Sequence, residues 1–400
     1  MPRVAVTGLG VICASGNTRA EFWANLTAGR CAIGPIEAVD RTLLRAPNGA
    51  EVRGYDPLKH FEPRHADLLD RFAQFAVIAA REAVRDAGFE RVPEEAAIFT
   101  GACVGGQTSE DEQFRRMYGE NSPRVHPLTI PRVMANAGAS AIAEEFGVHG
   151  PAMTISTACS SSTHALAMAF QMVRAGGVPM AIAGGSEAVF SLGFLRSWEA
   201  MRVLAPDTCR PFSQDRKGLI LGEGGAMLIL EPLDAARARG ATIYAEMRGV
   251  GMSADAHHIT QPSSAGAALA IQRALTDAGL APEAVRYINA HGTGTLTNDP
   301  TECAAIRAVF GAQADKLAIS STKSMHGHTL GAAGALEAAA AVMTLKSGVL
   351  PPTANFTTAD PACDLDVIAN EARRLQVEAA LSNSFAFGGL NAVLAFHRID

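Results

Sequence analysis

Three short segments, far apart along the chain, carry residues that could act together on a thioester. They are Thr157–Ser161, His291–Thr295 and Lys323–His328. Cys159 supplies a thiol, and a thiol can take over an acyl group as a covalent intermediate. His291 and His328 stand in Gly-rich turns, remote from this thiol along the chain. Together these residue types predict acyl transfer followed by carbon–carbon bond formation.

Cys159 is expected at a strand-to-helix turn, between the strand-like 153–156 and an apolar helix predicted over Thr163–Arg174. Unpaired N–H groups at a helix N-terminus favour a thiolate, so the pattern predicts a lowered pKa for Cys159. The serines at 160–162 are small enough to leave an approach channel for a thioester. The other six cysteines are scattered without CxxC pairs, which predicts inert free thiols rather than a disulfide framework or a zinc ribbon.

Metal binding is the alternative use of the histidines. His326 and His328, with His291 and a cysteine, have ligand types that suit zinc. Lys323 precedes this cluster, and its charge would repel a cation. We therefore expect no metal site.

The composition limits the class of protein. The 400 residues are 48% hydrophobic and 18% charged, which is enough to bury one very large core or two ordinary ones. The net charge of −6 gives no support for nucleic acid as a partner. No stretch approaches the roughly 18 apolar residues of a membrane span. The N-terminus shows no signal-peptide pattern, so a reducing cytoplasm is the expected setting.

The elements that must position these residues form a divergent internal repeat. In each half a helix ending at Asp-Ala-Gly leads through a proline loop to a strand, and later a second strand leads through a polar turn to an apolar helix. The first unit, a helix followed by a strand, lies at 72–88 and 97–100 in the first half and at 267–279 and 285–290 in the second half. The second unit, a strand followed by an apolar helix, lies at 155–157 and Thr163–Arg174 in the first half. In the second half it lies at 319–322, with a helix predicted over Gly331–Lys346. The repeat predicts two similar α/β halves, 1–240 and 241–400, joined near Glu231–Tyr244.

The three segments, in this order and at this spacing, closely resemble the elongating β-ketoacyl-(acyl carrier protein) synthases, which are thiolase-fold condensing enzymes. The resemblance extends from Val4 to Asn391. It implies an α/β, thiolase-like fold in which the two duplicated halves stack as a layered αβαβα sandwich. It also implies a decarboxylative Claisen condensation of an acyl chain with malonyl-acyl carrier protein, giving a 3-oxoacyl chain. The carrier protein brings the phosphopantetheine arm, so no bound cofactor is expected.

The resemblance also implies roles for single residues. Cys159 would carry the acyl chain, and His291 and His328 would hydrogen-bond the malonyl thioester oxygen. Lys323 would be partly buried, would pair with Glu302, and would act structurally and electrostatically rather than as a base. The other residues that the family's motifs or the charge pattern suggest are Asp299 as a support, Thr293 and Thr295 for the arm, and Arg202 and Arg196 for the carrier.

The segment Ser382–Gly389 matches the family's Gly-rich gating loop. The backbone N–H groups of Phe387 and Cys159 would form the oxyanion hole, and the Phe387 ring would gate the pocket. Phe385 would line the substrate site or serve as a plain hydrophobic plug.

Departures from the family's pattern leave the substrate open. Asn298 stands where Gly is common, His326 where Thr is frequent, and Leu390 where Thr usually precedes the asparagine. A housekeeping fatty-acid synthase and a specialised polyene or polyketide enzyme fit equally well, and acyl length is not readable. The alternative function is a non-catalytic, chain-length-setting partner subunit, against which the retained Cys159 argues. Both a homodimer and a heterodimer with such a subunit remain open.

Overall fold

The computed structural model describes residues 2–399. The strands are β1 (Val4–Cys13), β2 (Gly34–Pro35), β3 (Asn48–Gly49), β4 (Ala97–Gly101), β5 (Ala152–Ile155), β6 (Ala181–Glu187), β7 (Gly224–Pro232), β8 (Ala245–Ala254), β9 (Val285–Asn289), β10 (Ala318–Ser320), β11 (Val349–Leu350), β12 (Asp366–Val367), β13 (Arg373–Arg374), β14 (Ala379–Ala386) and β15 (Leu390–His397). The α-helices are α1 (Arg19–Thr27), α2 (Pro63–Leu68), α3 (Arg71–Asp86), α4 (Gln107–Phe114), α5 (Thr129–Val133), α6 (Ala137–Phe146), α7 (Ser161–Arg174), α8 (Leu192–Ala200), α9 (Leu233–Ala238), α10 (Ser264–Ala278), α11 (Asn298–Phe310), α12 (Lys323–His326) and α13 (Ala333–Ser347).

The main sheet has the same strand arrangement on each side of its centre. Its order is β12-β10-β9-β14-β15-β8-β1-β7-β6-β4-β5. From β1 outward, β7 and β6 are antiparallel to their predecessors, and β4 and β5 are parallel. From β8 outward, β15, β14, β9 and β10 repeat these directions. The two sides meet through a three-residue pairing of Val4–Val6 with Ala245–Met247. The chain is therefore built twice on one plan.

Two helices lie between the two halves of the main sheet. α7 contacts β6 and β4 on one side and β15 on the other, and α13 contacts β7 and β14. α3 and α6 cover the outer face of one half of the sheet, while α10 covers that of the other half and packs against α11. Every residue of α13 from Ala333 to Leu345 is buried, as a helix enclosed on all sides must be. This arrangement confirms the layered α/β prediction.

Glycine allows the two central helices to approach each other closely. A Cβ atom added at Gly334 would lie 1.9 Å from Oγ1 of Thr163, on α7. The resulting contact fixes α13, and with it the loop that precedes α13, against the first half of the chain. The predicted bounds of these helices differ little from the structure, since α7 begins two residues earlier and α13 two residues later than expected.

The outer helices of the repeat end at the glycines that the sequence predicts, and each has a side-chain cap at its start. Asp70 and Ser263 cap α3 and α10 by accepting a hydrogen bond from a backbone N–H in the first turn. Gly88 and Gly279 follow the two helices with φ of +76° and +60°, a conformation that glycine adopts without strain. None of the helices within residues 2–399 is long and apolar enough to cross a membrane.

Candidate active site

Cys159, His291 and His328 line one cavity, although they are far apart in sequence. The imidazole rings of the two histidines lie edge to face, with their centroids 5.5 Å apart. Thr293, Thr295, Phe385 and Phe387 line the same cavity. The seam between the two halves therefore brings together the thiol, the two imidazoles and four of the other residues singled out from the sequence.

Cys159 lies in a tight turn between β5 and α7. Ala158, just before it, has φ of +51°, which is rare for a residue with a side chain. The turn is held by the Ser161 hydroxyl, which donates to the carbonyl of Ala158, and by the Ser160 hydroxyl, which reaches the carbonyl of Leu390 at 2.9 Å. Backbone strain of this kind persists only where the surroundings enforce it. These bonds fix the direction of the thiol toward the cavity.

The resting thiol is less acidic than the sequence predicts. Burial raises the pKa of Cys159 to about 11, because the charged thiolate would lose contact with water. Lys323 and the backbone N–H groups of Phe387 and Cys159 act in the opposite direction, but burial outweighs them. The expectation of a lowered pKa is therefore wrong, since it considered the helix terminus and not the depth of the site.

His291 is oriented by Lys323. The Lys323 Nζ lies 3.3 Å from Nδ1 of His291 and donates to the His291 carbonyl at 2.7 Å. A lysine side chain donates hydrogen bonds, so Nδ1 of His291 accepts and its Nε2 carries the proton. Burial, followed by the charge of Lys323, lowers the pKa of His291 well below its usual value. His291 is thus a neutral imidazole with an N–H available at Nε2.

His328 has the same tautomer by a different route. The backbone N–H of Leu330 donates to Nδ1 of His328 at 3.2 Å, which leaves the proton on Nε2. Nε2 is buried and has no hydrogen-bond partner among residues 2–399. Burial, together with Lys323 and His326, lowers the pKa of His328 well below its usual value. A buried donor without a partner is rare in proteins and suits an oxygen atom of a ligand.

The partner of Lys323 is Glu337, not Glu302 as the sequence predicts. Lys323 is fully buried rather than partly buried, and its Nζ forms an ion pair with Glu337 on α13. Burial raises the pKa of Glu337 to about 7, against the effect of Lys323. Glu337 was not predicted, although a lone acid in an otherwise apolar helix is a signal, because a buried carboxyl needs a partner.

Glu302 and Asp299 support the histidine turn through its backbone. Glu302 accepts hydrogen bonds from the N–H groups of His291 and Gly292, each at 2.8 Å. Asp299 accepts from the N–H of Gly294 at 3.2 Å and that of Phe212 at 2.9 Å. Both carboxyls are fully buried, and burial raises their pKa values. They hold the turn that presents His291 and do not face the cavity.

The two threonines and two phenylalanines form the rest of the wall. The hydroxyls of Thr293 and Thr295 lie 2.9 Å apart. The Phe385 ring packs edge-on against His291, with centroids 6.2 Å apart. The Phe387 ring stacks on Trp198, with centroids 6.1 Å apart and planes inclined by 22°. Trp198 was not predicted, since nothing in the sequence relates it to the gating loop.

Comparison with known proteins decides the family. The model of the β-ketoacyl synthase N-terminal domain matches residues 1–236, and that of the C-terminal domain matches residues 244–357. The chain belongs to the β-ketoacyl synthase family. It is therefore a condensing acyltransferase, a β-ketoacyl-acyl carrier protein synthase.

Relatives and a solved structure cover the full chain. Nodulation protein E of Rhizobium sp. (strain N33) is 45% identical over 99% of both chains. The 3-oxoacyl-[acyl-carrier-protein] synthase 2 of Synechocystis sp. is 41% identical over 99% of this chain and 98% of its own. The ishigamide ketosynthase/chain length factor superposes with a TM-score of 0.95, at 37% identity and with 100% of both chains covered.

In this β-ketoacyl synthase, a second cavity adjoins Cys159. It has a volume of about 400 Å³ and a mainly apolar lining, which includes Val104, Phe194, Trp198 and Leu330. Glu187 holds the backbone on two sides of it, since its carboxylate accepts from the N–H of Cys103, which lines the cavity, at 2.7 Å and from that of Gly331, next to Leu330, at 3.0 Å. A thiol between this cavity and the histidine cavity can hold an acyl chain on one side and meet a second substrate on the other.

The two arginines singled out from the sequence lie outside these cavities. Arg196 is exposed and bonds the Leu43 carbonyl at 3.0 Å and Glu199 at 2.8 Å. Arg202 is exposed and immediately precedes Val203, which lines the histidine cavity. Within residues 2–399, no group of three His, Cys, Asp or Glu side chains is arranged to hold a metal ion.

Proposed function

We propose that Cys159 takes an acyl chain from an acyl carrier protein, and that His291 and His328 then activate a malonyl group for condensation with it. The product is a 3-oxoacyl-acyl carrier protein in fatty acid, polyene or polyketide biosynthesis. One observation carries the proposal above all others. The thiol and both imidazoles line one cavity, and the bonds from Lys323 and Leu330 leave an N–H at Nε2 of each ring.

In the first half-reaction the Cys159 sulfur attacks the thioester carbonyl of the acyl carrier. The carbonyl oxygen gains a negative charge, and the N–H groups of Phe387 and Cys159, which both approach the thiol, are placed to hold it. The bond to the pantetheine sulfur then breaks. The thiol proton of Cys159 ends on that sulfur, so no net proton is gained or lost. The product is acyl-Cys159 and a free carrier thiol.

In the second half-reaction malonyl-carrier enters the same cavity. Its thioester oxygen accepts hydrogen bonds from Nε2–H of His291 and of His328. The bond to the carboxylate breaks, carbon dioxide leaves, and the electron pair forms an enolate whose charge the two donors stabilise. Both rings are neutral, so they donate without a proton transfer.

The enolate carbon then attacks the carbonyl carbon of acyl-Cys159. The tetrahedral oxyanion occupies the site of the N–H groups of Phe387 and Cys159, and it collapses by breaking the carbon–sulfur bond. The released thiolate recovers a proton from solvent, as its raised pKa favours, and this proton balances the negative charge that the malonyl carboxylate brought in. The new carbon–carbon bond lengthens the chain by two carbons.

The carrier protein and its arm are part of the same proposal. The name of the Synechocystis relative includes acyl carrier protein as its substrate carrier. Thr293 and Thr295 line the histidine cavity and offer hydroxyls to the phosphopantetheine amides. Arg202 is the better candidate for contact with an acidic carrier, because Arg196 already pairs with Glu199. No other cofactor enters the reaction.

Assembly as a dimer is supported by exposed apolar surface in the segment 107–134. Tyr118 and Ile130 are 74% and 69% exposed there. β5 is the last strand of the sheet order, and its Met153 is 41% exposed. Apolar patches and free strand edges of this kind are usually covered by a partner. Light scattering of the purified chain separates the alternatives: a dimer supports a homodimer, and a monomer supports a heterodimer with a chain-length-factor-like subunit.

The division of the chain and its location are also proposals. The boundary between residues 240 and 241 is supported by the two family models, because the first match ends at residue 236 and the second begins at residue 244. A cytoplasmic location is supported by the seven free cysteines, since thiols persist in reducing compartments.

The deciding experiment measures both half-reactions separately. Purified protein is mixed with acyl-carrier, and intact mass shows whether Cys159 gains the acyl group; carbon dioxide release from malonyl-carrier is then followed. A non-catalytic partner subunit would give neither signal. Cys159→Gln should lose the adduct and condensation while it still decarboxylates malonyl-carrier. Condensation by this variant would contradict the assignment of the nucleophile.

A further inference from the structure

His326 is a fully buried imidazole behind the cavity, two residues before His328. It does not line the cavity and takes no part in the steps above. Its Nδ1 lies 2.8 Å from the carbonyl oxygen of Gly327, and its Nε2 lies 3.0 Å from the hydroxyl of Thr322. The ring also packs near Phe22 of α1, with centroids 6.2 Å apart.

The partners of His326 determine which of its nitrogens donates. A carbonyl oxygen only accepts, so Nδ1 of His326 must carry a proton and donate to Gly327. Burial lowers the pKa of His326 to about 3, so the ring is neutral and Nε2 accepts from the Thr322 hydroxyl. The ring is therefore fixed at both nitrogens and acts as a rigid donor to one carbonyl group.

The carbonyl that His326 holds belongs to the peptide that joins Gly327 to His328. At the other side of this peptide, the N–H of His328 donates to the carbonyl of Ile220 at 2.7 Å. Gly327 has φ of +69° and reverses the chain at this point. A Cβ atom there would lie 2.9 Å from that of Ala50, so the turn has no room for a side chain at this position. Both polar groups of the peptide are thus bonded, and its plane sets the direction in which His328 leaves the backbone.

We propose that His326 is a positioning residue for His328: its Nδ1–H fixes the Gly327 carbonyl and so aims Nε2 of His328 at the malonyl thioester oxygen. The inference rests on the proposed function of His328. Without the donor the buried carbonyl has no partner, the peptide can rotate, and the imidazole moves. A displacement of about 1 Å is enough to cost roughly 100-fold in rate when a catalytic group must meet a developing charge.

The test compares His326→Asn with His326→Leu. The two replacement side chains have nearly the same shape, but only Asn keeps an N–H donor at the δ position. We expect His326→Leu to decarboxylate malonyl-carrier about 10- to 100-fold more slowly, with acylation of Cys159 within threefold of wild type. His326→Asn should stay within about threefold in both reactions. Rescue by Asn together with unchanged acylation is not expected from a general packing defect.

Two results would overturn the proposal: normal decarboxylation by His326→Leu, or equal losses in the Asn and Leu variants. If His326→Leu does not fold, His326→Gln takes its place. The amide of the Gln side chain is one bond too far from the backbone to donate to the Gly327 carbonyl as Nδ1 does. Decarboxylation at the wild-type rate by His326→Gln would then overturn the proposal. His328→Ala separates the two levels of inference. If it decarboxylates normally, the proposed role of His328 fails, whereas a loss in His328→Ala without a loss in His326→Leu contradicts only the role of His326.

Discussion

Replacement of Lys323 by Met separates the structural from the catalytic consequences of the buried Lys323–Glu337 pair. Both side chains are fully buried. Removing one partner leaves the other without compensation, which typically costs about 3–5 kcal/mol. For a chain of this length, an unfolding entropy of about 2.1 cal/mol/K per residue converts that cost into a Tm lower by about 4–6 °C. This loss of folding stability should be larger at pH 8 than at pH 6. Without Lys323 the pKa of Glu337 is higher still, and a carboxyl whose pKa is raised in the folded state stabilises the fold more as pH falls.

The double variant Lys323→Met/Glu337→Leu removes the uncompensated carboxyl and should recover most of the lost Tm. A smaller deficit of about 1–3 kcal/mol should remain, because the carbonyl of His291 no longer has its donor. Decarboxylation should not recover. Nδ1 of His291 has lost the group that fixes its tautomer, and the loss of one oxyanion donor costs about 100- to 1000-fold.

The assays are differential scanning fluorimetry for Tm and carbon dioxide release from malonyl-carrier for activity. Lys316→Met removes an exposed lysine and serves as the control, with no expected change in either measurement. Recovery of decarboxylation in the double variant would refute the reasoning about the tautomer of His291. A double variant no more stable than the single one would refute the ion-pair account.

Three further predictions follow from the same geometry. His291→Ala and His328→Ala should each reduce carbon dioxide release about 100- to 1000-fold while Cys159 is still acylated, as intact mass would show. His326 has a pKa of about 3 in the folded chain and about 6.5 when unfolded, so the unfolded chain takes up the proton first and stability is lost as pH falls below 6.5. Scanning fluorimetry should therefore show that His326→Asn reduces the loss of stability between pH 8 and pH 5.5 by about 1.4 kcal/mol, or roughly 2 °C, and an unchanged pH profile would contradict the lowered pKa. Arg202→Glu should raise KM for acyl-carrier roughly fivefold to tenfold without affecting acyl-pantetheine; an equal effect on both substrates would exclude a carrier contact.

The site was predictable from the sequence where its residues belong to short local motifs. Cys159, His291 and His328 each stand in a turn whose small neighbours are typical of a functional loop, and the repeated strand–turn–helix units place such turns at equivalent ends of two sheets. The stops at Gly88 and Gly279 are likewise local, so the sequence predicts them.

The contacts that Lys323 and Phe387 make with other helices were not predictable from local motifs. Glu337 reaches Lys323 only because α13 is enclosed between two sheets and turns one face toward the histidine loop. The stacking of Trp198 on Phe387 depends in the same way on how α8 meets the gating loop. A lone acid in an apolar helix indicates that Glu337 needs a partner, but sequence spacing does not identify that partner, and the predicted pairing of Lys323 with Glu302 is wrong.

The raised pKa of Cys159 is consistent with a site that stays nearly uncharged until the reaction begins. Neutral imidazoles at 291 and 328, a protonated thiol and an internally paired Lys323 present donors but little net charge to the cavity. A thioester or an acyl chain can enter such a cavity without displacing tightly held water. Apart from the carboxylate that the malonyl group brings in, charge appears only in the enolate and in the tetrahedral oxyanion, at oxygens that the N–H donors already face. A thiolate formed in advance would already be stabilised by these donors in the resting enzyme. Only interactions that strengthen toward the transition state increase the rate.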